Sequence, residues 1–156
     1  MKPIQAPITG SETRHDVSSA FQALVQFYCA FNNADLALMA QNWADTQDIS
    51  MDNPLGGVKR GWDAIRPVYE RIFRGPADVY VEYYDYTIHE STVMFYAVGR
   101  ERGYFRLNGT EIELAIRTTR IFQMIEGHWR QVHHHGSIED PKLLEQYQSA
   151  VLGKSV

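Results

Sequence analysis

A chain of 156 residues, 44% hydrophobic and 22% charged, has the size and composition of one globular domain with a core of its own. Its net charge is −4 and its basic residues form no run long enough to track a phosphate backbone, which excludes nucleic acid as the expected partner. One cysteine, Cys29, excludes an internal disulfide framework, and without a signal-like or membrane-spanning apolar stretch the expectation is a cytoplasmic protein with no membrane partner.

Residues 1–15 are polar and contain proline, and read as a flexible leader ahead of a single domain over 16–153. From Asp16 to Asn32, apolar Val17, Phe21, Leu24, Tyr28 and Phe31 recur at helical spacing and predict a first amphipathic helix. Asp35 can cap a short second helix with Leu36, Met39 and Trp43 on its apolar side. A brief strand over Asp48–Asn53 stops at Pro54 and the glycines beyond it. Between Gly61 and Gly75 a third helix is predicted, with Ile65, Val68, Tyr69 and Ile72 apolar; Pro67 removes a backbone donor there and predicts a kink or a late start.

From Ala77 to Ser137 the chain is rich in Val, Ile, Tyr and Phe and is interrupted at "HEST", "LNGT" and "IEGH", the pattern of a four-strand meander. A last helix follows, with Asp140 as cap, Pro141 at its first position, Leu144, Tyr147 and Val151 on one side, and Gly153 past its end. The order of elements predicts an α+β domain, with helices packed on one face of a curved antiparallel sheet.

Side-chain alternation then selects the inner face. In Glu111–Met124 the set Ile112, Leu114, Ile116, Thr118, Arg120 and Phe122 faces the core. A tight hairpin at Asn108-Gly109 sets Phe105 opposite Ile112 and Glu101 opposite Ile116. The same device at Glu126-Gly127 sets Trp129 opposite Met124, His133 opposite Arg120 and His135 opposite Thr118, leaving His134 on the outer face with Arg130 and Val132. A single bulge would move any of these groups to the other face. Glu101, Thr118, Arg120, His133 and His135 thus gather at one end of an apolar wall. Buried polar groups must be paired or wet, so they form either a closed network or the lining of a ligand cavity.

On the cavity reading Arg120 grips a carboxylate, so the ligand is a small anionic organic or aromatic compound. His133, with Glu101 and His135, forms the acid-base group. Asn53 adds a hydrogen bond, and Tyr28, Thr118, Trp62 and Trp129 complete the wall. His133 and His135 also have metal-ligand spacing, but no third ligand is evident and Arg120 opposes a cation, so neither a metal nor another cofactor is expected. Tyrosines on both faces of "VYVEYYDY" fit a strand whose outer side meets a second subunit.

"AFNNADLALMAQNWADTQDISMDNPLGGVKRGWDAIRPVYE" resembles the first half of the nuclear transport factor 2-like superfamily, which includes the ketosteroid isomerases. "TTRIFQMIEGHWRQVHHHGS" is similar to the last strands of its SnoaL-like branch and of the calcium/calmodulin-dependent protein kinase II association domain, through Arg120, Trp129, His133, His135 and Ser137. The resemblance spans Asp16 to Pro141. It implies a cone-like curved sheet wrapped round a long helix and a pocket, as a homodimer through the outer sheet face. The isomerase chemistry does not carry over. Asn53 stands where that family has its general base, Phe27 where it has its oxyanion tyrosine, and Thr119 near its protonated aspartate. Two functions remain: a cofactor-free acid-base lyase, isomerase or hydrolase, or a non-catalytic dimeric ligand-binding or association domain.

Overall fold

The computed structural model describes residues 1–13 and 19–153. Helix α1 spans Ala20–Asn32, capped by the Ser19 side chain, which accepts from the Gln22 amide at 3.1 Å. The predicted earlier start at Asp16 and Val17 lies outside the described residues. Leu24, Phe27 and Tyr28 of α1 are fully buried. Helix α2 is Leu36–Asn42, with the Asp35 carboxylate accepting from the Leu38 amide at 2.9 Å; Trp43 forms the cap of its last turn instead of lying within it. Two short strands follow, β1 (Ser50–Asp52) and β2 (Lys59–Arg60), then helix α3 (Trp62–Arg74), which runs through Pro67 as one element. The long strands are β3 (Asp78–Glu90), β4 (Met94–Leu107), β5 (Thr110–Ile125) and β6 (His128–Ser137), and Asp140 caps the closing helix α4 (Pro141–Leu152).

All six strands form one sheet in the order β2-β1-β6-β5-β4-β3. The meander is as the hairpin residues require: Phe105 pairs with Ile112, Glu101 with Ile116 and Trp129 with Met124. β1 adds a parallel pairing to β6, with Ser50 opposite His133 and Asp52 opposite His135. Helix α1 packs on the concave face, where Phe95, Ala97, Leu114, Phe122 and Trp129 supply the sheet side of the core.

Two irregularities set the curvature and the facing of side chains. In β3 the register shifts between Tyr84 and Thr87, with Asp85 at φ +50°, so Tyr83 and Tyr86 both turn inward. In β6 the partners pass from Ile121–His133 to Phe122–Gln131, which leaves Val132 as one extra residue. Residues 1–13 run beside the free edge of β3. Ile4 pairs with Tyr86 and Ile8 with Tyr83 through backbone hydrogen bonds, so that over this stretch the leader is tied to the sheet. Gly10, at φ +87°, meets the backbone of α1 so closely that a Cβ there would lie 2.2 Å from the Cys29 nitrogen. Among the described residues no helix is long and apolar enough to cross a membrane.

Candidate functional site

Arg120, on the inner face of β5, is 1% exposed. Its Nη2 donates to Glu101 Oε1 at 2.7 Å, its Nη1 to Gln131 Oε1 at 2.8 Å and its Nε to the Tyr28 hydroxyl at 3.2 Å. Tyr28 donates in turn to Glu101 Oε1 at 2.6 Å, and the guanidinium carbon sits 3.5 Å from the centre of the Phe27 ring. Gln131 continues the array by donating to Asn42, whose amide donates to the Ala23 carbonyl and to Gln26 of α1. Burial works against the Arg120 charge, yet Tyr28 and Glu101 more than offset it and hold the guanidinium even more firmly protonated than usual. Burial, against the pull of Arg120 and with the help of Glu101, pushes the Tyr28 phenol well up, so it stays a donor.

A narrow cavity of about 50 Å³ adjoins this array, with room for a few waters or the end of a small molecule. Glu101, Arg120, His134, Asn53 and Tyr69 give it polar groups, while Met51, Leu114, Ile116 and Tyr147 are among its other lining residues. His134 is 7% exposed, and neither ring nitrogen has a hydrogen-bond partner among the described residues. Burial first, then the positive field of Arg120, holds its imidazole well below the ordinary 6.5, so it is neutral at pH 7. Gly136 leaves the ring its space: a Cβ there would stand 3.1 Å from His134 Nε2. Tyr69 reaches the cavity from α3; its hydroxyl accepts from Trp43 Nε1 at 3.3 Å, and burial, opposed by Arg120, lifts its phenol to about 12.

The extra residue at Val132 reverses the expected facing of the histidines. His134, not His133, stands opposite Arg120, and His135 stands opposite Thr119 rather than Thr118. His133 and His135 point to the outer face, where the β1 pairing gives them partners. His135 Nδ1 lies 2.6 Å from Asp52 Oδ2, His133 Nε2 lies 3.4 Å from Asp52 Oδ1, and His133 Nδ1 shares a 2.7 Å hydrogen bond with Ser50 Oγ. Among the described residues no group of three or more His, Cys, Asp or Glu side chains is arranged to hold a metal ion.

The other expected site residues divide in the same way. Glu101, Arg120 and Asn53 meet at the cavity, and Tyr28 joins them through the network behind it. Thr118 is inward and buried, its hydroxyl unpartnered among the described residues, but does not line the cavity. Trp129 packs edge-on against Phe95 at 5.0 Å, and Trp62 lies on α3 against Tyr69; neither lines the cavity. Arg120 is not a free anion clamp, because Glu101 balances its charge at contact distance. Sequence reasoning passed over His134, Gln131 and Tyr69. Gln131 carried the right signal, since it shares its parity with buried Trp129; His134 did not, because nothing in "RQVHHHG" marks Val132 as a bulge.

Comparison with solved structures finds the same architecture in proteins of 18–20% identity. A proposed dehydratase from the nuclear transport factor 2-like family of Streptomyces avermitilis superposes with a TM-score of 0.67 at 20% identity, covering 78% of this chain and 94% of that one. A ketosteroid isomerase-like protein from Erwinia carotovora atroseptica gives 0.65 at 18% identity over 83% and 100%. A proposed calcium/calmodulin-dependent protein kinase type II association domain from Thiobacillus denitrificans gives 0.63 at 20% identity over 78% and 96%. No curated relative matches in sequence. The family model for the SnoaL-like domain matches residues 21–141, which takes in the curved sheet, the helix it wraps and every residue lining the cavity except Tyr147, and the chain therefore belongs to the SnoaL-like domain family.

Proposed function

We propose that the chain binds a small organic molecule in the cavity and moves a proton on it, with His134 as the base, in a lyase, isomerase or hydrolase reaction. The observation that carries this reading is His134 itself: a buried, neutral imidazole with two unpartnered nitrogens beside a cavity. Such a group is costly to leave unsatisfied, and a ligand supplies what it lacks. Burial makes this imidazole a weak base toward solvent, but a proton taken from the ligand leaves an anion beside the imidazolium, so the transfer adds no net charge to the cavity. Tyr69 accepts from Trp43 and keeps its own O–H to donate to a developing oxyanion on the substrate. Proton transfer of this kind needs no cofactor. Glu101, Arg120, Tyr28 and Gln131 position the site, and because Glu101 and Arg120 cancel, the part of the ligand inside the cavity is uncharged.

The same mutual satisfaction of Glu101 and Arg120 favours a second reading, a ligand-binding or association domain without turnover. In either case the chain works as a homodimer through the outer sheet face, where Met94, Tyr96 and Val98 of β4 stand in a row, each 39–44% exposed. The test is conversion of small carbonyl and hydroxy compounds by the wild type, His134→Gln and Tyr69→Phe. Catalysis predicts turnover that both substitutions reduce by two or more orders of magnitude with binding retained. Turnover unaffected by His134→Gln defeats the assignment, and binding without turnover leaves the second reading.

A further inference from the structure

The cavity and a second concavity of about 190 Å³ share Asn53 in their walls. This outer chamber is built from the Leu55–Gly56 turn, Lys59 of β2, and one stripe of α3 in which Pro67 and Val68 lie three and four residues after Ala64, and Arg71 four and three residues after them. Lys59 and Arg71 are both exposed, come from different elements, and form no ion pair or hydrogen bond among the described residues. The nearest acid along α3, Glu70, is already taken by Arg66 at 2.8 Å. One unpaired surface cation is ordinary. Two that line one concavity, whose wall shares Asn53 with the cavity of an unsatisfied buried histidine, in a chain of net charge −4, form a place for an oxyanion.

We propose that the ligand is a small organic acid: its carboxylate rests between Lys59 and Arg71, and its uncharged, reactive carbons pass Asn53 to reach His134. This rests on the reading of the His134 cavity and assigns its substrate class. It moves the anion-binding role expected of Arg120 out to the rim, where a carboxylate keeps part of its hydration and meets no Glu101.

The test titrates hexanoate, levulinate and cinnamate, each beside its methyl ester, into the wild type and Lys59→Gln/Arg71→Gln, following thermal stability and the imidazole NMR signals of His134. The expected result is that at least one acid binds the wild type about tenfold more tightly than its ester, as two exposed ion pairs allow, and that this preference weakens with salt. In the double variant the acid falls to the level of its ester, while both still shift the His134 signals. Equal binding of acid and ester to the wild type, or a preference that survives in the double variant, overturns the rim site but leaves the cavity reading intact. Binding that never perturbs His134, or no binding by any of the six probes, overturns both.

Discussion

Replacing Arg120 by Met tests the network at its centre. The substitution keeps the apolar stem of the side chain but not its guanidinium end, and removes the only cation paired with Glu101 among the described residues; Glu101 is 4% exposed. Among the described residues the carboxylate then retains the Tyr28 hydroxyl alone, and Gln131 Oε1 loses the Arg120 donor. Breaking a buried ion pair from one side costs about 3–5 kcal/mol, which for a chain of this size lowers the midpoint of thermal unfolding by on the order of 10 °C. Removing both charges together, in Arg120→Met/Glu101→Leu, costs far less than the sum of the single changes, because no unpaired charge is left behind. Urea unfolding followed by circular dichroism and tryptophan fluorescence gives all four corners of the cycle. An Arg120→Met protein within about 1 kcal/mol of wild type, or single effects that simply add, refutes the closed network and restores Arg120 as a free ligand-binding cation.

Three further outcomes follow from the geometry. His134 has a depressed folded-state pKa, so below the ordinary 6.5 the unfolded chain takes up a proton that the folded one refuses; its contribution to stability is complete above that pH and drains away as pH falls toward the folded value. Relative to His134→Gln, the wild type should lose up to about 1.4 kcal/mol per pH unit between roughly pH 6 and 5, and parallel stability profiles would count against a buried neutral imidazole. Tyr96→Glu/Val98→Glu places two carboxylates on the outer face of β4 and should give a folded monomer by light scattering, whereas an unchanged dimer would place the interface elsewhere. Asp35→Ala removes the cap that accepts from the Leu38 amide and should cost about 1 kcal/mol in denaturant unfolding without altering ligand binding; no loss of stability would show that the cap is dispensable.

Local chemistry carried most of the architecture. Asp35, Asp140, Pro141 and Gly153 mark helix ends through capping geometry that depends on a few adjacent residues, and Asn108-Gly109 and Glu126-Gly127 fix hairpin registers in the same local way. Glu101 and Arg120 were therefore legible as inward-facing charges. The parallel pairing of β1 with β6 was not, because it joins residues some eighty positions apart and leaves no periodic trace in either segment. Nor was the bulge at Val132. A strand keeps its alternation only while both partners advance together, and β6 advances one residue further than β5. Trp129 and Gln131, before the bulge, face as alternation requires; His133, His134 and His135, after it, are each inverted.

That one inserted residue separates three identical side chains into two chemical kinds. On the outer face Asp52 lies between His133 and His135, within pairing distance of both and partly open to solvent. On the inner face the local acid, Glu101, is already bound to Arg120, and the charge that acts most on His134 is the positive one of Arg120. A proton taken from solvent onto His134 would add a second cation beside the single anion, Glu101, that lines the cavity among the described residues, an arrangement that desolvation and repulsion both oppose. The base at the cavity therefore depends on the network doing nothing but balancing itself: Glu101 must stay satisfied by Arg120 and Tyr28 for the imidazole beside them to remain uncharged and open to a substrate proton.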